Sequence, residues 1–461
     1  MSALFEPFEL KSHCLRNRIA VPPMCQYMAN EGLVNEWHHI HYASIARGGA
    51  GLVIVEATAV SPEGRITPSC AGLWSDKQGE AFIPIAQAIK AAGSVAGIQL
   101  AHAGRKASAN RPWEGNGHIA EDDHRGWQTI APSAIAFGAH LSKVPRAMSL
   151  SDIAQVREEF VMAARRALSA GFEWLELHFA HGYLGQSFLS AHSNRRSDGY
   201  GGNVENRRRF LIETMSAVRE VWPEHLPLTV RLGVIEYDNQ DEQTLLEAIA
   251  LIRQLKNAGA DLVNVSTGFN IPNTDTPWAP AFLAPIAERI RHEAGIPVAA
   301  AWGIESPALA DRLVRDGQAD LVMVGRAHLA DPHWPYAAAR TLGVERPAWV
   351  LPPLTPTGSN GIRRWSNPSF SPCHHVRKDR SFSCHHATSR RITWLTPLST
   401  PITGNCSRPS QKPPTTRSIR RWTTHIARSS TGKNAALPNA VPFSSGQLSC
   451  YAPRPATMPT C

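Results

Sequence analysis

The chain of 461 residues is 43% hydrophobic and 18% charged, which is enough apolar material for one large core or for several ordinary domains. It has no run of about 20 apolar residues, and its start, MSALFEPFE, lacks the basic and apolar segments of a secretory signal. Eight cysteines in a chain of this length do not indicate a disulfide framework. We therefore expect a soluble, cytoplasmic globular protein.

The net charge of +9 conceals two regions of opposite character. Residues 352–461 hold 15 of the 47 basic residues but one of the 38 acidic residues, Asp379, together with 15 of the 35 prolines. Residues 1–351 carry the remaining charges and have a net charge of −5. The sequence thus predicts an acidic body, residues 1–351, and a basic tail, residues 352–461.

Within the body, short apolar, β-branched runs alternate with amphipathic segments that often end at glycine. Eight runs are predicted as strands: residues 18–22, 51–57, 95–101, 174–179, 228–232, 262–266, 297–301 and 321–324. The clearest helices follow late in the chain, at residues 244–257 and 307–315. Alternating strands and helices predict a parallel sheet with right-handed crossovers. Eight units favour a closed (β/α)8 TIM barrel over an open doubly wound sheet, since no GxGxxG follows the first strand.

A long insert separates the third and fourth predicted strands, which lie about 70 residues apart. Its first part, residues 104–146, is polar and rich in Gly, Pro and Asn. A helix over residues 149–170 follows, with Ser149 or Ser151 as its cap. A non-helical insert of this length is typical of a lid or a binding loop.

The active site of a (β/α)8 barrel lies at the carboxyl ends of its strands, so the residues there form the candidate site. They are Met24, Cys25, Tyr27, Ala57, Thr58, Gln99, His102, His178, His181, Tyr183, Arg231, Ser266, Trp302, Gly325 and Arg326. The set is rich in donors and lacks the converging carboxylates of a metal site, and we expect Glu176 to point away from the partners of His178. We therefore expect no metal. Two neutral imidazoles beside a tyrosine suit the stabilisation of an oxygen that gains negative charge.

Two polar residues, Gln99 and Arg231, end predicted strands and together could grip a flat polar heterocycle. The loops after the seventh and eighth strands of such barrels are the usual phosphate site, and here they contain Trp302, Gly325 and Arg326. A phosphorylated heterocycle beside an oxyanion site suggests flavin mononucleotide (FMN). A metal-dependent hydrolase on the same fold is the alternative.

Five segments in combination resemble the old yellow enzyme family of FMN-dependent ene-reductases. They are residues 22–27 (PPMCQY), 99–105 (QLAHAGR), 178–186 (HFAHGYLGQ), 193–210 (SNRRSDGYGGNVENRRRF) and 324–326 (VGR). Cys25 with Tyr27 resembles the bacterial branch typified by xenobiotic reductase A, and the resemblance spans residues 3–351. It implies an NAD(P)H-dependent oxidoreductase that reduces the activated C=C bond of α,β-unsaturated carbonyl compounds, and also nitro compounds. A related reductase of dienoyl thioesters is the alternative.

The resemblance also implies roles for individual residues. Flavin contacts would come from Pro23, Met24, Cys25, Ala57, Gln99, Arg231, Trp302, Gly325 and Arg326. His178 and His181 would bind the carbonyl or nitro oxygen, and Tyr183 would protonate the α carbon with Tyr27 assisting at the oxygen. Cys25 would tune the redox behaviour of the flavin, although a free cysteine is commonly a small apolar filler.

The tail has no strand or helix periodicity and is rich in Pro, Ser, Thr and Arg, which predicts disorder. Its charge would suit a nucleic-acid-binding arm, and the His pairs after Cys373 and Cys384 would suit zinc, but neither pattern forms a recognised module. We therefore expect neither a nucleic-acid nor a membrane partner.

A shifted reading frame is the interpretation of the tail that we favour. Residues 354–362 (LTPTGSNGI) can be encoded so that the frame two bases along spells HAHWLERY, which resembles the C-terminal end of this family branch. In that family the native end packs at a homodimer interface and reaches the neighbouring active site. We therefore expect an intact barrel and flavin site, with a weakened dimer and substrate pocket.

Overall fold

The structure, a computed structural model, describes residues 2–352. The predictions of disorder, zinc binding, nucleic-acid binding and a shifted frame for the basic tail lie outside the described residues. Within residues 2–352, no helix combines the length and the apolar character that crossing a bilayer would require.

The described residues form twelve strands and ten α-helices. The strands are β1 (Phe8–Leu10), β2 (His13–Leu15), β3 (Ile19–Val21), β4 (Leu52–Ala59), β5 (Val95–Ala101), β6 (Ile130–Ala131), β7 (Arg146–Ala147), β8 (Trp174–Phe179), β9 (Leu228–Gly233), β10 (Leu262–Ser266), β11 (Val298–Ala300) and β12 (Leu321–Met323). The helices are α1 (Glu36–Arg47), α2 (Asp76–Ala91), α3 (Leu150–Ser169), α4 (Leu184–Leu189), α5 (Val204–Val221), α6 (Asp241–Asn257), α7 (Ala284–Ala294), α8 (Pro307–Arg315), α9 (Arg326–Ala330) and α10 (Trp334–Thr341).

Eight of the strands close a parallel barrel in chain order: β3, β4, β5, β8, β9, β10, β11 and β12. Each coincides with a predicted strand, and the bounds differ only at the ends. The (β/α)8 prediction is therefore confirmed, and the open sheet is wrong. The antiparallel pair β1–β2 was not predicted.

The β1–β2 pair closes the amino end of the barrel. Phe8 and Leu15 pack in one apolar cluster with Leu52, Trp174 and Leu321, which begin three of the barrel strands. Burying these side chains together removes apolar area from water and seals that end. The carboxyl ends of the strands remain the place where a cavity can form.

The helix after the insert shows how a local signal sets a boundary. The Ser149 hydroxyl accepts a hydrogen bond from the amide of Asp152 at 3.1 Å, and the Asp152 carboxylate accepts one from the amide of Ser149 at 2.7 Å. This reciprocal pair is a capping box. Ser149, and not Ser151, is therefore the cap of α3. Helix α8 has its predicted bounds, whereas α6 begins three residues earlier than predicted, at Asp241.

Candidate active site

A cavity of about 780 Å³ lies at the carboxyl ends of the barrel strands, within the size range of cofactor sites. The sequence-predicted site residues that line it are Pro23, Met24, Cys25, Tyr27, Ala57, Gln99, His178, His181, Tyr183, Arg231, Trp302, Gly325 and Arg326. The barrel therefore brings together side chains that are up to 303 positions apart in the chain. Sequence reasoning missed Ile66, Trp278 and Phe282, which also line the cavity.

Three other strand-end candidates, Thr58, His102 and Ser266, do not line the cavity. Ser266 is buried behind His181. The Thr58 hydroxyl donates to the carbonyl of Glu56 at 2.8 Å. The ring of His102 lies against Gly64, and its Nδ1 accepts from the amide of Gly104 at 3.0 Å. The side chains of Thr58 and His102 support loops around the site and do not reach into it.

The imidazoles of His178 and His181 form the centre of the cavity wall. Their ring centroids lie 4.8 Å apart, and the ring of Tyr183 lies 5.0 Å from His178 and 6.3 Å from His181. Burial and the nearby Arg231 charge lower the pKa of both imidazoles well below the ordinary value. Both rings are therefore neutral at physiological pH, and each carries one N–H.

Hydrogen-bond partners assign the nitrogen that carries the proton in each ring. The amide of Ala180 donates to His178 Nδ1 at 3.3 Å, which leaves the proton on Nε2. Trp302 Nε1 donates to Ser266 Oγ at 3.4 Å, and the same oxygen lies 2.7 Å from His181 Nε2. We assign the proton of His181 to Nδ1, the tautomer in which the Ser266 hydroxyl donates to Nε2. The pair presents one N–H from each ring.

The turn that carries this pair follows β8 in an uncommon backbone conformation. His181 and Gly182 have φ values of 62° and 69°, and a Cβ on Gly182 would lie 2.4 Å from the carbonyl oxygen of Phe269. The Lys106 ammonium donates to the carbonyls of His181 at 2.8 Å and Phe269 at 2.7 Å. Burial lowers the pKa of Lys106 to about 7. Sequence reasoning missed this lysine, although it directly follows the QLAHAGR segment.

A buried carboxylate, Glu176, lies behind the lining residue Gln99, which corrects the prediction for Glu176. Glu176 and His178 are two residues apart on β8 and face the same side of the strand, the barrel interior. Gln99 Nε2 donates to Glu176 Oε1 at 2.7 Å, and Asn264 Nδ2 donates to Oε2 at 3.0 Å. Burial raises the pKa of Glu176, while the Arg231 charge opposes that rise. The prediction that Glu176 points away from the partners of His178 is wrong, because Arg231 lies near both side chains.

The last two strands form the other end of the cavity. A Cβ on Gly325 would lie 3.3 Å from Pro22 Cγ and 3.4 Å from Met24 Sδ, so a larger residue there would crowd the cavity wall. Arg326 follows at the start of α9, and its exposed guanidinium lies 3.0 Å from the carboxylate of Glu305. The cation is thus held at the cavity mouth.

The insert approaches the site through one aromatic contact. The ring of Trp113 lies 5.9 Å from that of Tyr27, although none of residues 104–146 lines the cavity itself. Tyr27 is buried and has a left-handed φ of 55°. Cys25, two residues before Tyr27, also lines the cavity.

The donor set fits a flat polar heterocycle that bears a phosphate. The side-chain nitrogen Nε2 of Gln99 donates to Glu176, so the side-chain oxygen Oε1 of Gln99 is the atom left for a ligand. The nearby Arg231 is mostly buried, and a cation in that position stabilises negative charge on a ligand ring. Among residues 2–352, no group of three His, Cys, Asp or Glu side chains is arranged to hold a metal ion.

Comparison with known proteins gives consistent matches over the barrel. Residues 3–345 match the NADH:flavin oxidoreductase / NADH oxidase family. The chain is 43% identical to the NADPH dehydrogenase of Geobacillus thermodenitrificans over 346 residues, which covers 75% of this chain and 96% of that protein. It is 40% identical to the NADPH dehydrogenase of Bacillus subtilis over 349 residues, covering 75% of this chain and 97% of that protein.

Solved structures are also similar to this chain. Morphinone reductase matches with a TM-score of 0.63 and 28% identity, covering 75% of this chain and 90% of that chain. The old yellow enzyme homologue from Zymomonas mobilis matches with a TM-score of 0.61 and 29% identity, covering 74% of this chain and 93% of that chain.

Proposed function

Because the chain belongs to the NADH:flavin oxidoreductase / NADH oxidase family, it is a flavin-dependent ene-reductase that uses FMN and NAD(P)H, and we propose that it reduces α,β-unsaturated carbonyl compounds and nitro compounds. The family membership sets aside a metal-dependent hydrolase on the same fold. The buried pair of neutral imidazoles, His178 and His181, on the cavity wall is the observation that carries the proposal about substrate.

The residues around the cavity offer a flavin the contacts that it needs. When bound, FMN supplies the hydride chemistry, while the protein binds, orients and polarises. We assign the flavin contacts to Pro23, Met24, Cys25, Ala57, Gln99, Arg231, Trp302, Gly325 and Arg326. Of these, Gln99 offers an acceptor and Arg231 a cation, and Arg326 follows β12 where a phosphate would bind.

The imidazole pair would bind the oxygen of the substrate. His178 Nε2–H and His181 Nδ1–H are held by Ala180 and Ser266, so neither ring needs to reorient during the reaction. Negative charge develops on a carbonyl or nitro oxygen as its conjugated carbon is reduced, and fixed donors in a buried site stabilise that charge. This arrangement supports an activated alkene as the substrate.

The two tyrosines would complete the chemistry. Tyr183 lies beside both imidazoles, where its phenol is placed to protonate the α carbon. Tyr27 lies on the cavity wall, where it would assist at the substrate oxygen, and Cys25 would tune the redox behaviour of the bound flavin. A phenol suits the proton transfer because it is a weak acid of pKa about 10 that gives up its proton only to a stronger base.

Ligand titration of the holoenzyme tests these assignments. The probe is p-hydroxybenzaldehyde, whose phenolate oxygen resembles the charged oxygen of the reaction, followed by the change in flavin absorbance. His178→Ala combined with His181→Ala should abolish binding, and Tyr183→Phe should slow reoxidation by 2-cyclohexenone at least tenfold while NADPH still reduces the flavin. His102→Ala is the matched control, since this buried histidine does not line the cavity. Unchanged phenol affinity in the double variant would refute the role of the imidazole pair.

Substrate class is tested by comparing turnover of 2-cyclohexenone, an aromatic nitro compound and a 2,4-dienoyl thioester under the same conditions. Preference for the thioester would replace the proposed substrate by the related alternative. We also infer a cytoplasmic enzyme in which residues 1–351 form the FMN-binding unit. The homodimer of the family would be weakened by the altered residues 352–461.

A further inference from the structure

A buried carboxylate, Glu56, lies behind the segment that carries Cys25 and Tyr27 into the cavity. Strand β4 pairs with β5 through Val55 and Ala57, and the register shifts between these two residues, so Glu56 is the extra residue of a β-bulge. Bulges beside active sites re-aim a side chain. Ala57 lines the cavity, whereas the Glu56 side chain is fully buried at 0% exposure.

One oxygen of this carboxylate faces the backbone of the cavity segment. The amide of Gln26 donates to Glu56 Oε2 at 3.0 Å, and the amide of Tyr27 also donates to the carboxylate. Tyr27 has a φ of 55°, a conformation that is unfavourable for a residue with a side chain. Hydrogen bonds from two consecutive amides to an ionised acceptor are strong, and they hold the backbone in this conformation.

Helix α1 contacts the other oxygen of the carboxylate. The Tyr42 hydroxyl donates to Glu56 Oε1 at 3.1 Å, and the amide of Glu56 donates to the Tyr42 oxygen at 2.9 Å. His38 Nε2 lies 3.6 Å from Oε1, and burial lowers the pKa of His38 to about 4. His38 is therefore neutral near pH 7.

Two thiols complete the surroundings of the carboxylate. Cys70 lies near Glu56, and burial raises the pKa of its thiol to about 11. Cys25, which belongs to the same segment as Gln26 and Tyr27, lies near Tyr42. Burial raises the pKa of Glu56 itself to about 7. Of the four groups His38, Tyr42, Glu56 and Cys70, Glu56 is the one whose charge changes near neutral pH.

We propose that Glu56 is a positioning residue whose carboxylate holds the backbone of Gln26 and Tyr27, and thereby fixes the Tyr27 phenol on the cavity wall. The inference rests on the proposed role of Tyr27 at the substrate oxygen. An ionised carboxylate accepts from both amides and from Tyr42. A protonated one must turn one oxygen into a donor, so the hold on the segment weakens as the pH falls through the titration of Glu56.

The test uses the holoenzyme and its rate of reoxidation by 2-cyclohexenone, a substrate without a titrating group. Wild type should show a step in this rate near pH 7, with the faster rate on the alkaline side. Glu56→Gln should keep its flavin, lose this step and react about tenfold more slowly at pH 8, because an amide offers one acceptor oxygen instead of two. Asp311→Asn is the matched control: Asp311 is a buried carboxylate that accepts from the amide of Leu4 at 3.0 Å and does not line the cavity. The Asp311→Asn variant should have a lower free energy of unfolding than wild type and the same rate of reoxidation.

A double-mutant cycle separates positioning from a merely structural role. If Glu56 acts through Tyr27, the variant Glu56→Gln/Tyr27→Phe should react no more slowly than Tyr27→Phe alone. Additive losses would overturn the inference, as would a Glu56→Gln enzyme with the rate and pH profile of wild type. If Tyr27→Phe itself reacts like wild type, the proposed role of Tyr27 fails and the inference fails with it. A slow Tyr27→Phe beside a normal Glu56→Gln refutes the inference alone.

A second variant decides the matter if Glu56→Gln does not fold. Tyr42→Phe removes a hydrogen bond that lowers the pKa of Glu56. The step in the rate should therefore move to higher pH. A step that stays in place or moves to lower pH would exclude Glu56 as the titrating group.

Discussion

The imidazole Nε2 of His181 lies 2.7 Å from the hydroxyl oxygen of Ser266, the last residue of β10. Trp302 Nε1 donates to the same oxygen at 3.4 Å. We assign the Ser266 proton to the contact with His181, which places the proton of His181 on Nδ1. The N–H left for the substrate is on Nδ1 because Nε2 is already an acceptor.

Replacing Ser266 should therefore weaken oxyanion binding without removing any group that touches the substrate. In Ser266→Ala, His181 loses the donor that favours its Nδ1–H tautomer, and the affinity for p-hydroxybenzaldehyde should fall about tenfold. The change in flavin absorbance on titration measures it. Ser94→Ala removes a buried hydroxyl near the amino end of β5 and should leave the affinity unchanged. Equal affinities of Ser266→Ala and wild type would contradict the assigned tautomer.

Glu176 should control flavin affinity through Gln99. In Glu176→Gln, the new amide has one acceptor oxygen for two donors, Gln99 and Asn264, and the other donor faces an N–H₂ group. The side chain of Gln99 is then free to rotate. We expect FMN to bind the apoprotein about tenfold more weakly, as measured by quenching of FMN fluorescence.

The control for this prediction is Glu236→Gln. Glu236 is also a buried carboxylate with two donors, the side chain of Gln186 at 3.1 Å and the amide of Asn270 at 3.0 Å. Neither donor lines the cavity, whereas Gln99 does. The Glu236→Gln variant should lose stability and keep its flavin affinity. If both variants bind FMN equally well, the orientation of Gln99 does not depend on Glu176.

The pKa of Lys106 predicts a pH-dependent contribution to stability. Burial lowers this pKa to about 7, so between pH 7 and about 10 the unfolded chain binds more protons here than the folded chain. The contribution of Lys106 to the unfolding free energy should thus rise with pH, by about 1.4 kcal/mol for each pH unit within that window. Denaturant unfolding of wild type and Lys106→Met at pH 7.5 and pH 9 measures the difference.

The stability gap between these two proteins should widen at pH 9, because the cost of deprotonating Lys106 on folding falls as the pH rises, while the variant does not titrate. Lys106→Met should be the less stable protein at both pH values, since the carbonyls of His181 and Phe269 lose their donor. A gap of the same size at both pH values would mean that Lys106 remains charged in the folded protein.

Residues 1–351 should retain the flavin without residues 352–461. The described residues that line the cavity fall between Pro22 and Leu329, so the shortened chain keeps every contact assigned above. We expect the same ratio of flavin to protein absorbance in both chains. A third chain with the ending HAHWLERY restored after residue 353 should form the stronger dimer in sedimentation experiments. An intact dimer in the original chain, with kinetics that match those of the chain with the restored ending, would contradict the expected weakening of the dimer and the substrate pocket.

Local patterns in the sequence were sufficient for the barrel and for the polar residues at the centre of the candidate site. Each strand is a short apolar run, and each follows or precedes a helix with its own signals, as in the Ser149 capping box of α3. Alternation of strand and helix leads to a parallel barrel whatever the details of packing. Because such a barrel gathers its strand ends at one face, His178, Arg231 and Trp302 could be placed together before any distance was known.

What the tertiary structure decided concerns residues whose direction depends on pairing between distant strands. Glu176 faces the interior and holds Gln99, Glu56 occupies a bulge that turns it toward Tyr27, and Lys106 reaches the carbonyls of two separate loops. None of these residues stands in a local pattern, because a carboxylate or ammonium looks the same in the sequence whether it faces solvent or the core. Register, bulges and burial arise only when the strands meet. They determine which charged groups are buried and which hydrogen bonds these groups make, and these in turn set the pKa values and the donor positions of the site.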